Sequence, residues 1–112
     1  MKRIHDLQEL VSYFSEDKKF IHDGYYRIRV FDKETIELAF LVAGPCGDSL
    51  VHPQITVSLT ESSAIAIKMI DMYATPPLFL DREESNKQKI DQELDKLIEK
   101  FLNIKNKNTK IF

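Results

Sequence analysis

The stretch YYRIRVFDKETIELAFLVAG, residues 25–44, constrains the fold more than any other part of the chain. Tyr26, Ile28 and Val30 alternate with Arg27, Arg29 and Phe31; Ile36, Leu38, Phe40 and Val42 alternate with Glu37, Ala39 and Leu41. A period of two on both sides of Asp-Lys-Glu predicts an antiparallel hairpin. A loop at 32–34 sets Val30 opposite Ile36, Ile28 opposite Leu38 and Tyr26 opposite Phe40 on one face, with Arg29 opposite Glu37 on the other. A slip of one residue would turn the apolar set to water, so the pattern itself specifies the register.

The hairpin is followed by AGPCGDSLVHP, residues 43–53, rich in glycine and proline and expected to be a loop between strands. QITVSLT then alternates Ile55, Val57 and Leu59 with Thr56, Ser58 and Thr60, a third strand with Pro53 tolerable at its start. In ESSAIAIKMIDMYATPP, the Ala, Met and Lys content favours a helix over 62–73, ended by Pro76 and Pro77. The alternative is a fourth strand that places Val57 opposite Ile65 and Ile55 opposite Ile67.

Two further helices frame these elements. Near the N-terminus Ile4, Leu7, Leu10, Val11 and Phe14 recur at helical spacing, with Asp6 and Glu9 at the spacing of a capping box. Near the C-terminus Ile90, Leu94, Leu97, Phe101 and Ile104 form a second stripe, widened by Ile98 and Leu102, with Asp81 and Glu84 in capping-box spacing ahead of it. The stripe is too short for a coiled-coil seam and predicts core packing.

The expected fold class is α+β: a three-stranded antiparallel β-meander, four-stranded if 62–73 is a strand, with an N-terminal helix and one or two C-terminal helices packed on the sheet. Residues 1–104 form a single domain, and 105–112 read as a polar, basic tail. A chain of 112 residues can bury one core. The helix–three-strand–helix order resembles that of the double-stranded-RNA-binding domain. That family has a lysine cluster at the start of its last helix, where this chain reads TESSAIAIK, so no function carries over.

Composition narrows the function classes. The longest apolar stretch is of strand length, below the ~18 positions a membrane helix needs, so no membrane role is expected. A single cysteine can form no internal disulfide, which fits a reducing, cytoplasmic setting. Residues 31–81 hold two basic side chains, Lys33 and Lys68, against the acids Asp32, Glu34, Glu37, Asp48, Glu61, Asp71 and Asp81. An acidic middle disfavours nucleic acid and suits a basic protein partner.

Candidate chemistry is sparse. Cys46, with His52 and Asp48 nearby in sequence, is the one possible nucleophile-and-base set, giving a small enzyme as the alternative function. It matches no cysteine-enzyme signature, and no helix start follows Cys46 to favour its thiolate. His5, His22 and His52 show no short-range ligand spacing, and no phosphate-binding glycine motif is present, so neither metal nor cofactor is expected. The outward hairpin face is richer. Tyr25, Arg27, Arg29, Phe31, Glu37 and Leu41 fall on one side, and aromatic and Arg side chains are the usual anchors of protein interfaces. The expected function is a non-enzymatic protein-binding module of inhibitor, immunity or adaptor type, acting through this face and the acidic middle. Self-association, with Phe31 or Ile98 at the seam, is an alternative use of the surface. A nucleic-acid role would draw on Arg27, Arg29 and the C-terminal lysines.

Overall fold

The computed structural model describes residues 2–109. Its elements are α1 (Lys2–Tyr13), β1 (Lys19–Ile21), β2 (Gly24–Asp32), β3 (Thr35–Ala43), β4 (Ser49–Leu59), β5 (Ala64–Asp71), β6 (Leu78–Asp81) and α2 (Lys87–Thr109). The six strands form one antiparallel sheet in chain order, and both helices lie on the same face. The fold is therefore α+β as expected, but with six strands in place of three or four.

The central hairpin has the expected register. Val30 faces Ile36, Ile28 faces Leu38, Tyr26 faces Phe40 and Arg29 faces Glu37. The loop is one residue shorter than expected, because Asp32 pairs with Thr35 after a bulge between Val30 and Asp32. The Glu34 amide donates to Asp32 Oδ1 at 2.7 Å, an Asx-type bond that closes the turn without glycine.

Four expectations are corrected. First, 62–73 is not a helix: β5 occupies most of it, with Ala64, Ala66 and Met69 buried and Ile65 and Ile67 exposed. Its register also differs from the strand alternative, since Val57 faces Ala66 and Ile55 faces Met69, with a bulge between. Pairing to β4 and β6 on both sides overrides the helical propensity of Ala, Met and Lys. Second, β4 begins at Ser49, so the 43–53 loop shrinks to a tight turn, and Pro53 sits inside the strand at the bulge opposite Phe40. Third, neither capping box caps a helix. Asp6 lies within α1, and Asp81 ends β6. α2 starts instead at Lys87, where the Asn86 carbonyl accepts from the Ile90 amide at 3.0 Å. Fourth, α2 continues through Thr109, so the chain does not become a loose tail at 105; residues 110–112 lie outside the described residues.

One core joins the layers. Ile4, Leu7, Leu10 and Phe14 of α1, and Ile90, Leu94, Leu97, Ile98, Phe101 and Ile104 of α2, pack on Tyr26, Ile28, Ile36, Leu38, Phe40, Ile55, Val57 and Met69 of the sheet. The α2 stripe is thus core, as its length implied. Gly24 lets β2 pass close to β3: a Cβ there would lie 2.5 Å from Phe40 Cε1 and 2.7 Å from the Leu41 carbonyl oxygen.

Ion pairs tie the periphery to α2. Arg82 donates to both Asp91 carboxylate oxygens and to the Ala66 carbonyl. The Arg82 hydrogen bond, opposed by burial, holds the Asp91 carboxyl below its ordinary value. A depressed carboxylate adds stability that is complete above its unfolded value of about 4 and is lost as pH falls through the folded value. Asp91→Asn is expected to cost less than about 1 kcal/mol at neutral pH, because the pair is partly exposed. The gap to wild type should close as the solution becomes strongly acid. Urea midpoints measured across that range check it, and a gap that stays constant would contradict the role given to the carboxylate.

Candidate functional site

The helices cover one broad face of a molecule measuring 37 × 36 × 22 Å. The opposite face of the sheet carries no element of the described chain. Strand pairing arranges it in rows. One row reads Arg27, Ala39, Gln54, Ile70 and Phe79 from β2 to β6. The next reads Arg29, Glu37, Thr56, Lys68 and Asp81. Tyr25 pairs with both Phe20 and Leu41 in a third.

The polar centre of this face is a two-arginine cluster around Glu37. Arg27 Nη2 and Arg29 Nη1 each stand 3.6 Å from Glu37 Oε1, and Arg27 Nη2 donates to Gln54 Oε1 at 2.9 Å. Glu37 is only 6 % exposed. Its Oε1 and the Arg27 Nε are buried without a hydrogen-bond partner. The cluster is thus charge-paired but not fully hydrogen-bonded. Burial and the neighbouring Arg29 charge both lower the Arg27 pKa, with Glu37 opposing them.

Apolar side chains surround that centre. Phe20, Phe31 and Phe79 are 63 %, 55 % and 64 % exposed. Tyr25 stacks edge-on against Phe20 at 5.3 Å and lies under Lys18 Nζ. Isolated exposed apolar residues are ordinary, but three bare phenylalanines on one sheet face are not.

Of the residues expected to bind a partner, Tyr25, Arg27, Arg29, Phe31 and Glu37 do share this face. Leu41 shares it but is buried at 4 %, under its neighbours, and offers little contact area. Phe20, Lys68, Ile70 and Phe79 were not expected, because they stand on strands that the sequence concealed; Gln54 opens the expected third strand, but only the pairing to β3 sets it beside Ala39 and in reach of Arg27. The acidic middle is not one surface. Glu37 is enclosed by arginines, Asp71 is buried, Asp32, Glu34 and Glu61 stand near the turns at one end of the sheet, and Asp48 lies in a turn at the other.

The residues of the alternative functions are placed elsewhere. Cys46 is exposed in the 44–48 turn. His52 Nδ1 lies 2.8 and 2.9 Å from the two Asp71 carboxylate oxygens, and its ring packs 4.9 Å from Tyr73. Asp71 Oδ1 also accepts from the Tyr73 and Ala74 amides, so the pair fastens the end of β4 to the turn after β5. A carboxylate at Nδ1 fixes the imidazole's orientation. Lys100 and Lys105 sit on α2, across the sheet from Arg27 and Arg29, and pair with Asp23 and Glu9, so the basic residues do not form one strip. Among the described residues, no three His, Cys, Asp or Glu side chains converge as a metal site requires, and no helix is long and apolar enough to cross a membrane.

The fold and this face define a two-layer α+β protein with an uncovered sheet. Comparisons with protein-family models, with curated proteins and with solved structures return no match.

Proposed function

We propose that the chain is a non-enzymatic protein-binding module of inhibitor, immunity or adaptor type, and that the uncovered sheet face is its docking surface. One observation carries this reading: Phe20, Phe31 and Phe79 stand more than half exposed around the Arg27–Glu37–Arg29 cluster. Aromatic anchors beside arginine, on a preformed rigid sheet, are what a protein interface uses as its energetic centre. Little ordering of the face is needed on docking, because strand pairing already fixes its backbone.

The test compares immobilised wild type with two variants against host lysate and against the purified chain itself. Phe31→Ser with Phe79→Ser alters the sheet face. Lys96→Glu alters the helix layer, where the side chain is 73 % exposed. A partner retained by wild type and by Lys96→Glu, and lost with the double serine variant, supports the reading. Partners that bind both variants equally, or no stoichiometric association at low salt, would end it.

A further inference from the structure

We infer that the occupant of the bare face is a second copy of this chain, packed sheet to sheet about a two-fold axis running along β4. The inference rests on the reading of this face as a protein-docking surface and names its partner. The charges carry it. Across β2 to β6, Arg29, Glu37, Thr56, Lys68 and Asp81 run positive, negative, neutral, positive, negative. The order is antisymmetric about Thr56 on β4. Rotation about β4 lays β2 on β6 and β3 on β5. Arg29 then faces the second copy's Asp81, and Glu37 faces the second copy's Lys68; the symmetry repeats both contacts.

Other axes fail the same test. An axis between β3 and β4 stacks Arg29 on Lys68. An axis across the strands, along the charged row, stacks Arg29 on Arg29 and Glu37 on Glu37. Like charges juxtaposed in an interface cost several kcal/mol, so the row selects one arrangement among these. The neighbouring row agrees with it. Rotation about Gln54 lays Arg27 over the exposed ring of Phe79, a cation–π pairing, and lays Ile70 over the small side chain of Ala39.

The carboxylate at the centre of this row is also short of hydrogen bonds, with two guanidiniums 3.6 Å from its Oε1. Glu37 is more than nine-tenths buried, yet its Oε1 accepts no hydrogen bond within the chain. The second copy's Lys68 brings an ammonium, with three donors, over this carboxylate. The available area is also adequate. Strands β2 to β5 have 9, 9, 11 and 8 residues. At about 3.3 Å per residue and about 4.8 Å per strand, these four strands with the four residues of β6, the five strands this axis superposes, present a flat projection of roughly 650 Å², before side-chain relief. A standard interface buries about 800 Å² per partner. Sheets packed face to face in this way lie about 10 Å apart with strands about 30° from aligned.

Sedimentation equilibrium over a wide concentration range tests the pairing, with the double variant Lys68→Glu/Asp81→Lys as the decisive comparison. The exchange keeps net charge and the opposite-charge neighbours on β5 and β6. It turns every cross-copy contact of the row into a like-charge contact. Wild type is expected to reach twice its 13.1 kDa mass, and the exchange to raise the dimer Kd at least about a hundredfold. The variant's melting curve, at concentrations where wild type is monomeric, should match wild type and so report an intact fold. Wild type that stays monomeric throughout, or a dimer indifferent to the exchange, overturns the second copy as occupant. If a foreign partner is still lost with Phe31→Ser/Phe79→Ser, the docking role of the face survives that failure. If no face-dependent association of any kind is seen, both fall.

Discussion

Phe101→Ala is expected to destabilise the protein by about 3–5 kcal/mol, the range for a large aromatic removed from a core. Phe101 is fully buried where α1, α2 and β2 meet. Its ring makes edge contacts with Phe14 at 4.9 Å and with Tyr26 at 5.0 Å. Each such pair adds about 0.5–1.5 kcal/mol beyond area burial. The space left behind cannot close easily. Tyr26 is held from the other side by its hydroxyl, which donates to Asp23 at 2.9 Å, and Asp23 is itself paired with Lys100 of α2 at 2.8 Å. Domains of this size have total stabilities of only about 5–15 kcal/mol, so the variant should fall close to the unfolding threshold. Urea unfolding reads the loss as a shifted midpoint at unchanged slope. Phe79→Ala, at a ring 64 % exposed, should stay within about 0.5 kcal/mol of wild type. A cost below about 1 kcal/mol for Phe101→Ala would mean that the helices do not pack on the sheet through this residue.

The contrast between these two phenylalanines follows what could be read from the sequence. Phe101 belongs to a helical stripe long enough to show its period, and both helical stripes proved to be core. The β2–β3 register was equally legible, because a period of two ran through both strands and met at a short loop. β1 and β6 have three and four residues, too short to display any period. β5 was hidden for a different reason. Its core-facing side holds Ala64 and Ala66, while the larger Ile65 and Ile67 face outward. Hydrophobic size there runs opposite to burial, so the pattern could not identify the inner side. His52 and Pro53 made the first half of β4 look like loop. The candidate site was legible only as far as its strands were: Tyr25, Arg27, Arg29, Phe31 and Glu37 emerged from alternation, whereas Phe20, Lys68 and Phe79 awaited the pairing. Summing charge along the chain misled because it ignores partners; the fold buries Glu37 and Asp71 and sends the other acids to the turns and to the β6 edge.

Glu37→Ala is expected to cost about 2–4 kcal/mol, near the range for removing one partner of a buried ion pair but reduced because Arg29 remains partly hydrated. The loss arises on Arg27. Its side chain is 13 % exposed, and burial and Arg29 already disfavour its charge; Glu37 is the counter-charge that offsets both. Without it two guanidiniums share one pocket of low polarity. Arg27→Met combined with Glu37→Leu removes the buried charges together and should recover most of the stability, since apolar residues of similar volume often replace a buried pair at little cost. The two outcomes separate structure from function. If the cluster served the fold alone, the Met/Leu variant would be as competent in association as wild type. If it belongs to the docking surface, that variant should fold normally in urea titrations and still lose association, because no carboxylate remains at position 37 for a partner's cation. A Met/Leu variant that both folds and associates like wild type would assign Glu37 to the sheet alone. It would also remove the Glu37–Lys68 contact from the proposed two-fold packing.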